Sequence, residues 1–288
     1  MDIRRNHRDL TRAQKQALIR ALLILKNDVP SVLRPGLQSR YDDFAQVHKN
    51  AMGGTEALVP PPHNSPLFYP WHRVFLRQFE LALQNAVDDS GITLPYWDWE
   101  VAGPEVPSMP FTEDFLGGDG DIELNRVQTG PFALQQGHFE LKVWLGPQGD
   151  PGLRRNFASI PNSRVPNAAQ VDAALQVVPY WAEGASWETV SEGTLHNRVH
   201  QWVGGTMMDP ASPNDPVFFL HHGYLDLLWE RWKQRHPDQQ PYLPVSDAPL
   251  HDLDALLVFN APGTPAPWDD TFTVRDTLDT RALGYDYR

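Results

Sequence analysis

Two groups of three histidines stand apart from the rest of the chain: His48, His63 and His72, then His196, His200 and His222. His196 and His200 are four residues apart in TLHNRVHQW, so on a helix both imidazoles leave from one face. His72 lies in YPWHRVF, nine residues after His63, and His222 lies in NDPVFFLHHGYLD. Neutral imidazole suits copper, zinc, iron and nickel. Three histidines per site, with neither carboxylate nor thiolate, point to a paired metal centre that handles a small molecule. Spacing alone leaves the metal open. An open three-histidine site suits zinc, and a pair of such sites suits copper, which heads the divalent affinity order.

Six imidazoles can converge only if rigid elements hold them, and most of the surrounding pattern is helical. Thr11 and Gln14 have the spacing of a capping box. Ala17, Leu18, Ala21, Leu22 and Leu25 follow at helical intervals until Val29-Pro30. A second helix is expected from about Ser39, with Tyr41, Phe44 and His48 on its apolar face. Three prolines before His63 exclude helix interior, so His63 is expected on a loop. A third helix begins at Pro70, with His72, Phe75, Leu76, Phe79 and Leu83 in one stripe. Another spans Leu195 to Val203. The last runs from about Asp215 to Arg235, with Phe218, His222, Leu225, Trp229 and Trp232 facing inward. Between about Ala102 and Trp187 frequent Gly and Pro predict long ordered loops with short strands or helices. ITLPYWDWE reads as a short extended piece, and the last eighteen residues as β-prone. The predicted class is therefore mainly α: a four-helix bundle core holding the metals between inward side chains, with long loops and a few short strands, in one domain over residues 1–288.

A lone core histidine is usually packing, but five on or beside apolar helix faces and one after a proline run are hard to explain that way. His221 points about 100° from His222 on a helix and reads as packing or support, not as a further ligand. His7, His138, His236 and His251 lack this context. The formal charge of −12 argues against a nucleic-acid partner. Solubility is the first explanation of that charge; the second is a mild preference for cationic over anionic small substrates. No apolar run of membrane-spanning length occurs. The chain has no cysteine, which excludes disulfides, thiolate ligands and a cysteine nucleophile. MDIRRNHRDLTR lacks the apolar stretch of a signal peptide, so the protein is expected in the cytoplasm, or exported with a partner's help.

RYDDFAQVH, PPHNSPLFYPWHRVFL, LPYWDW, LHNRVHQWVGG and SPNDPVFFLHHGYLDLLW resemble the copper-A and copper-B regions of tyrosinases, the type-3 dicopper phenol oxidases. The match is best with short bacterial members. It runs from the first helix to the end of the chain and is weakest at about 100–185. The resemblance implies copper A on His48, His63 and His72, copper B on His196, His200 and His222, and O2 as co-substrate bound between the two copper ions. Small phenols would be hydroxylated ortho to their hydroxyl, and catechols oxidised to o-quinones. An oxidase restricted to catechols or o-aminophenols shares the ligands, and an O2 carrier resembling hemocyanin shares the site. Bridging carboxylates, which a hydrolytic dizinc site would need, are missing near the histidines.

The resemblance also assigns supporting roles. In the family a Glu and an Asn are proposed to hold a water that acts as base. Asn197 follows His196, and Glu188 stands eight residues before it, as in the bacterial relatives. Gln201 occupies a position where relatives vary and is expected to tune substrate preference. Asp226 resembles the family's Asp in HHxxxD and is expected to accept a ligand histidine's second N–H. Phe218, one turn before His222, is expected to pack under a ligand ring. Tyr285-Asp286-Tyr287 resembles the motif that ends the catalytic core in longer phenol oxidases, where it pairs with an arginine near the N-terminus; Arg4 or Arg5 is the candidate here. Two partners are implied as alternatives: a copper-delivery chaperone, or a C-terminal shielding domain that is removed. No cysteine is available for the Cys–His thioether of some relatives.

Overall fold

The computed structural model describes residues 1–101, 109–161, 163–242 and 252–288, so His251 lies outside the described residues. Helices dominate. α1 (Arg12–Asn27) starts at the expected capping box, with Gln14 N–H donating to Thr11 Oγ1 at 3.2 Å and Thr11 N–H to Gln14 Oε1 at 2.9 Å. Its Leu18, Ala21, Leu22 and Leu25 are buried. α2 (Arg40–Ala51) has a second box, formed by Ser39 and Asp42. α3 (Phe68–Val87) begins two residues before Pro70. The proline therefore sits in the first turn, where its missing N–H leaves no bond unmade. α3 packs against α1, α2 and the last long helix. Tyr41, Phe44, Phe79 and Phe219 lock these elements through edge and stacked ring contacts 3.5–6.2 Å apart.

The described part of the weakly patterned middle is ordered loop, with short helical turns at Leu134–Gly137 and Pro147–Gly149 and with α4 (Ala168–Leu175). Arg155 organises part of it. Its buried guanidinium donates to the carbonyls of Leu116, Gly117 and Gly118 and pairs with Asp215 at 2.8 Å.

Two helices differ from expectation. Helix starts at Trp187, eight residues earlier than its apolar pattern suggests, in three joined pieces: α5 (Trp187–Val190), a π-turn (Ser191–His196) and α6 (Asn197–Val203). In the π-turn the Asn197 N–H bonds the Glu192 carbonyl, five residues back. Such bulges recur at functional sites. The last helix, α7 (Val217–Arg235), is buried on every side from 217 to 226 rather than along one stripe. The extended segment around Pro95 lies against it, with Trp97 N–H donating to the Leu220 carbonyl at 3.0 Å.

α6 ends at Gly204, at φ 66 and ψ −162. A side chain there would clash with the Asn156 carbonyl at 2.6 Å. Only glycine turns the chain this sharply, and the turn sends residues 205–210 back across the histidines. The β-prone C-terminus yields one short strand, β2 (Tyr285–Tyr287), parallel to β1 (Asp2–Arg4). Among the described residues no helix is long and apolar enough to cross a membrane.

Candidate metal centre

The six histidines converge. His48 comes from α2, His63 from the loop before α3, and His72 from α3; their rings lie 5.0–5.8 Å apart. His196, His200 and His222 come from the π-turn, α6 and α7, with rings 4.4–5.7 Å apart. In each group the ring nitrogens come within 4.8 Å of one another, close enough to hold a metal ion. The two groups meet where His72 stacks on His222 at 4.5 Å. Phe68 also touches both, 4.5 Å from His72 and 5.0 Å from His196.

Hydrogen bonds fix which nitrogen faces the centre. Nδ1 of His48 meets the Pro210 carbonyl at 2.8 Å, Nδ1 of His72 the Phe68 carbonyl at 2.8 Å, and Nδ1 of His200 the Met207 carbonyl at 2.6 Å. Nδ1 of His196 meets Asn197 Oδ1 at 3.1 Å. A carbonyl can only accept, so each Nδ1 carries the hydrogen and each Nε2 keeps its lone pair. Among the described residues, Nε2 of His48, His72 and His196, and both ring nitrogens of His63, are buried with no hydrogen-bond partner. Buried polar atoms are seldom left so. Nε2 of His200 and His222 are 3.4 Å apart, close to the ~3.3 Å expected of two nitrogens each ~2.0 Å from one tetrahedral ion. The donor set fits two metal ions on neutral imidazoles.

His221 joins the second group by distance alone. Trp99 Nε1–H donates to its Nδ1 at 3.1 Å, which places its remaining hydrogen on Nε2 and removes that lone pair. The Trp99 bond thus sets His221 apart from His196, His200 and His222, the three that could coordinate an ion through Nε2.

Burial holds all these imidazoles below their usual pKa, His63 and His200 at about 4. The sign follows directly. Below about 6.5 the unfolded chain takes up protons that the folded chain refuses, so the metal-free protein loses stability as pH falls. Each neutral ring contributes up to ~1.4 kcal/mol per pH unit. Melting the metal-free protein at pH 7.5 and 5.5 should show a marked drop at the lower pH; equal transitions would refute the burial argument.

A cleft of about 170 Å³, open to solvent, leads to the histidines. Its wall includes Asn64, Glu192, Asn197, Gln201, Met52 and Met208. Asn197 and Gln201 thus both face this space, and Phe218 stacks on His222 at 4.0 Å. Glu188 is fully buried and is not among the residues lining the cleft. Glu192 lines the cleft instead, accepting the Asn64 N–H at 2.9 and 3.1 Å. The π-turn is the reason, because its five-residue pairing puts Glu192 one turn from Asn197. One expectation needs correction: Asp226 serves no ligand histidine. Its oxygens accept from Arg73 Nε at 2.6 Å, Tyr285 OH at 2.6 Å and Tyr287 OH at 2.5 Å. The second N–H groups of His48, His72 and His200 go to backbone carbonyls, which leave no signature in a sequence.

A family model described as "Common central domain of tyrosinase" matches residues 38–235. The chain belongs to the tyrosinase family. The tyrosinase of Streptomyces antibioticus is 40% identical over 300 residues, covering 99% of this chain and 100% of the relative. Grixazone synthase of Streptomyces griseus is 33% identical, covering 99% of each. Among solved structures, a polyphenol oxidase from Thermothelomyces thermophila is similar at a TM-score of 0.76 and 25% identity, covering 100% of this chain and 89% of that one. The protein is an enzyme of a type-3 copper family that oxidises phenols, with two copper ions as cofactor and O2 as co-substrate.

Proposed function

We propose that this tyrosinase-family enzyme hydroxylates small monophenols ortho to their hydroxyl and oxidises o-diphenols to o-quinones, with His48, His63 and His72 holding one copper and His196, His200 and His222 the other. The copper pair, when bound, supplies the exchange of two electrons with O2. The rest is the work of the chain. Neutral ligands leave the centre cationic, so it attracts a phenolate. Phe68 and Phe218 pack between and beneath the ligand rings and keep bulk water from that side.

One observation carries the monophenol half of this reading. Glu192 and Asn197 both line the cleft beside His63 and His196. A free phenol has a pKa near 10, so a monophenol must lose its proton near the metal at neutral pH. A carboxylate and an amide one turn apart can hold a water that takes it. Catechol oxidation makes less demand on such a base. Gln201 lines the same cleft, so its side chain would meet the ring substituents that distinguish one phenol from another.

The test is oxygen uptake by the copper-loaded enzyme with tyramine, against dopamine. Uptake with both, and quinone formation after a lag on tyramine, is the expected result. Uptake with dopamine alone would reduce the enzyme to a diphenol oxidase.

A further inference from the structure

Glu188 and Glu192 lie four residues apart, where α5 passes into the π-turn, and both are buried. Their carboxyl groups are within hydrogen-bonding reach of each other. Yet neither oxygen of Glu188 meets a donor among the described residues. The neighbouring hydroxyls are committed elsewhere: Tyr69 OH, from α3, donates to Ser191 Oγ at 2.7 Å, and Tyr180 OH, from the loop before α5, to the Pro66 carbonyl at 2.8 Å. Ser191 Oγ in turn donates to the Glu188 backbone carbonyl at 3.0 Å. No cation figures among the groups acting on Glu188.

Two carboxylates cannot hydrogen-bond, since both only accept. Two buried like charges without a cation are also costly. One proton between them resolves both difficulties. Glu192 receives the Asn64 N–H and faces the cleft, so its charged form has support that Glu188 lacks. We propose that Glu188 is a neutral carboxylic acid whose O–H donates to Glu192, fixing the orientation of that carboxylate and lowering its basicity. Glu188 is then a positioning residue for the base, and its role in turnover rests on the reading of Glu192 given above. The titration directions agree. Burial, then Glu192, pushes the Glu188 carboxyl up; burial also raises Glu192, while the bonds from Glu188 and the Asn64 N–H pull it back.

Two substitutions and one spectrum test this. Glu188→Gln keeps an N–H donor toward Glu192, whereas Glu188→Leu removes it. With copper-loaded enzyme, the Gln variant should hold monophenol kcat/KM within about threefold of wild type. The Leu variant should lose about tenfold or more on monophenols while keeping diphenol oxidation. Losing a bond to the charged form raises the carboxyl's pKa, so the acid limb of the Leu profile should move to higher pH. Independently of turnover, the infrared spectrum of the copper-free protein at pH 8 should carry a protonated-carboxyl band that Glu188→Gln abolishes. Equal kinetics and profiles in the two variants, or no such band, would overturn the proposal; if the Leu variant does not fold, the band decides. A band that is lost in Glu188→Gln, together with a Glu192→Gln enzyme that keeps full monophenol activity, would leave the acid pair standing and remove the base.

Discussion

Glu192→Gln is expected to lower monophenol hydroxylation by roughly 10²–10⁴-fold, the usual worth of a positioned proton acceptor. Oxidation of o-diphenols should fall far less. The amide fits the same space and still accepts the Asn64 N–H through its oxygen, so the loop after His63 should hold. What it loses is charge: an amide cannot take a proton from water or phenol near neutral pH. The effect should sit in kcat on monophenols rather than in KM, because the cleft keeps its shape. Copper content should match wild type, since Glu192 is not among the side chains grouped for metal binding. Paired oxygen-uptake curves on tyramine and dopamine, with copper measured on the same samples, separate the outcomes. Equal losses on both substrates would mean that Glu192 supports the metal site rather than deprotonating the phenol.

That the base is sought at Glu192 rather than Glu188 shows where the sequence was legible and where it was not. Most of the converging histidines were legible because helical periodicity marks them: His196 and His200 one turn apart, and His48 and His72 on apolar stripes that are buried as expected. His63, on a loop, was marked only by the proline run before it. The caps at Thr11 and Ser39 were equally plain, since each needs only a hydroxyl and a partner three residues on. The cleft position of Glu192 was not. The resemblance to bacterial relatives points to Glu188, and the π-turn that sets Glu192 one turn from Asn197 has no compositional mark. Glu192 stands among SEGT, with nothing to set it apart from a solvated acid. α7 misled for the opposite reason. With every residue from 217 to 226 buried, apolar spacing cannot say which neighbour a polar side chain meets. Asp226, one turn from His222, is turned toward α3 and the two termini instead. Arg4, rather than Arg5, completes that cluster, with its guanidinium 3.7 Å over the Tyr285 ring and its Nη1 3.3 Å from Tyr287 OH.

Asp226→Asn should therefore act on stability and leave copper alone. Asp226 is buried where β1, β2, α3 and α7 meet, accepting from Arg73, Tyr285 and Tyr287, with Arg4 Nη1 at 3.6 Å. Removing one partner of a buried pair leaves the other charge poorly compensated, at a cost of about 3–5 kcal/mol. Glu230 still reaches Arg73 at 2.6 Å and Glu80 still reaches Arg4 at 3.0 Å, so the low end is expected, about 3 kcal/mol. For a chain of this size that is a fall in Tm of roughly 6–12 °C. The pH dependence has a definite sign. Burial raises the Asp226 carboxyl, but Arg73 and Arg4 more than offset it, and the net shift is downward. A depressed carboxyl contributes stability in full above its unfolded value of about 3.9 and loses it as pH falls through the folded value. The gap between wild type and Asp226→Asn should thus be complete at neutral pH and shrink below about pH 4. Thermal melts across that range, with copper per folded chain measured at neutral pH, decide the matter. A variant that melts like wild type but binds less copper would return Asp226 to the metal centre. A lower Tm with copper content intact assigns it to the clasp that joins the two ends of the chain.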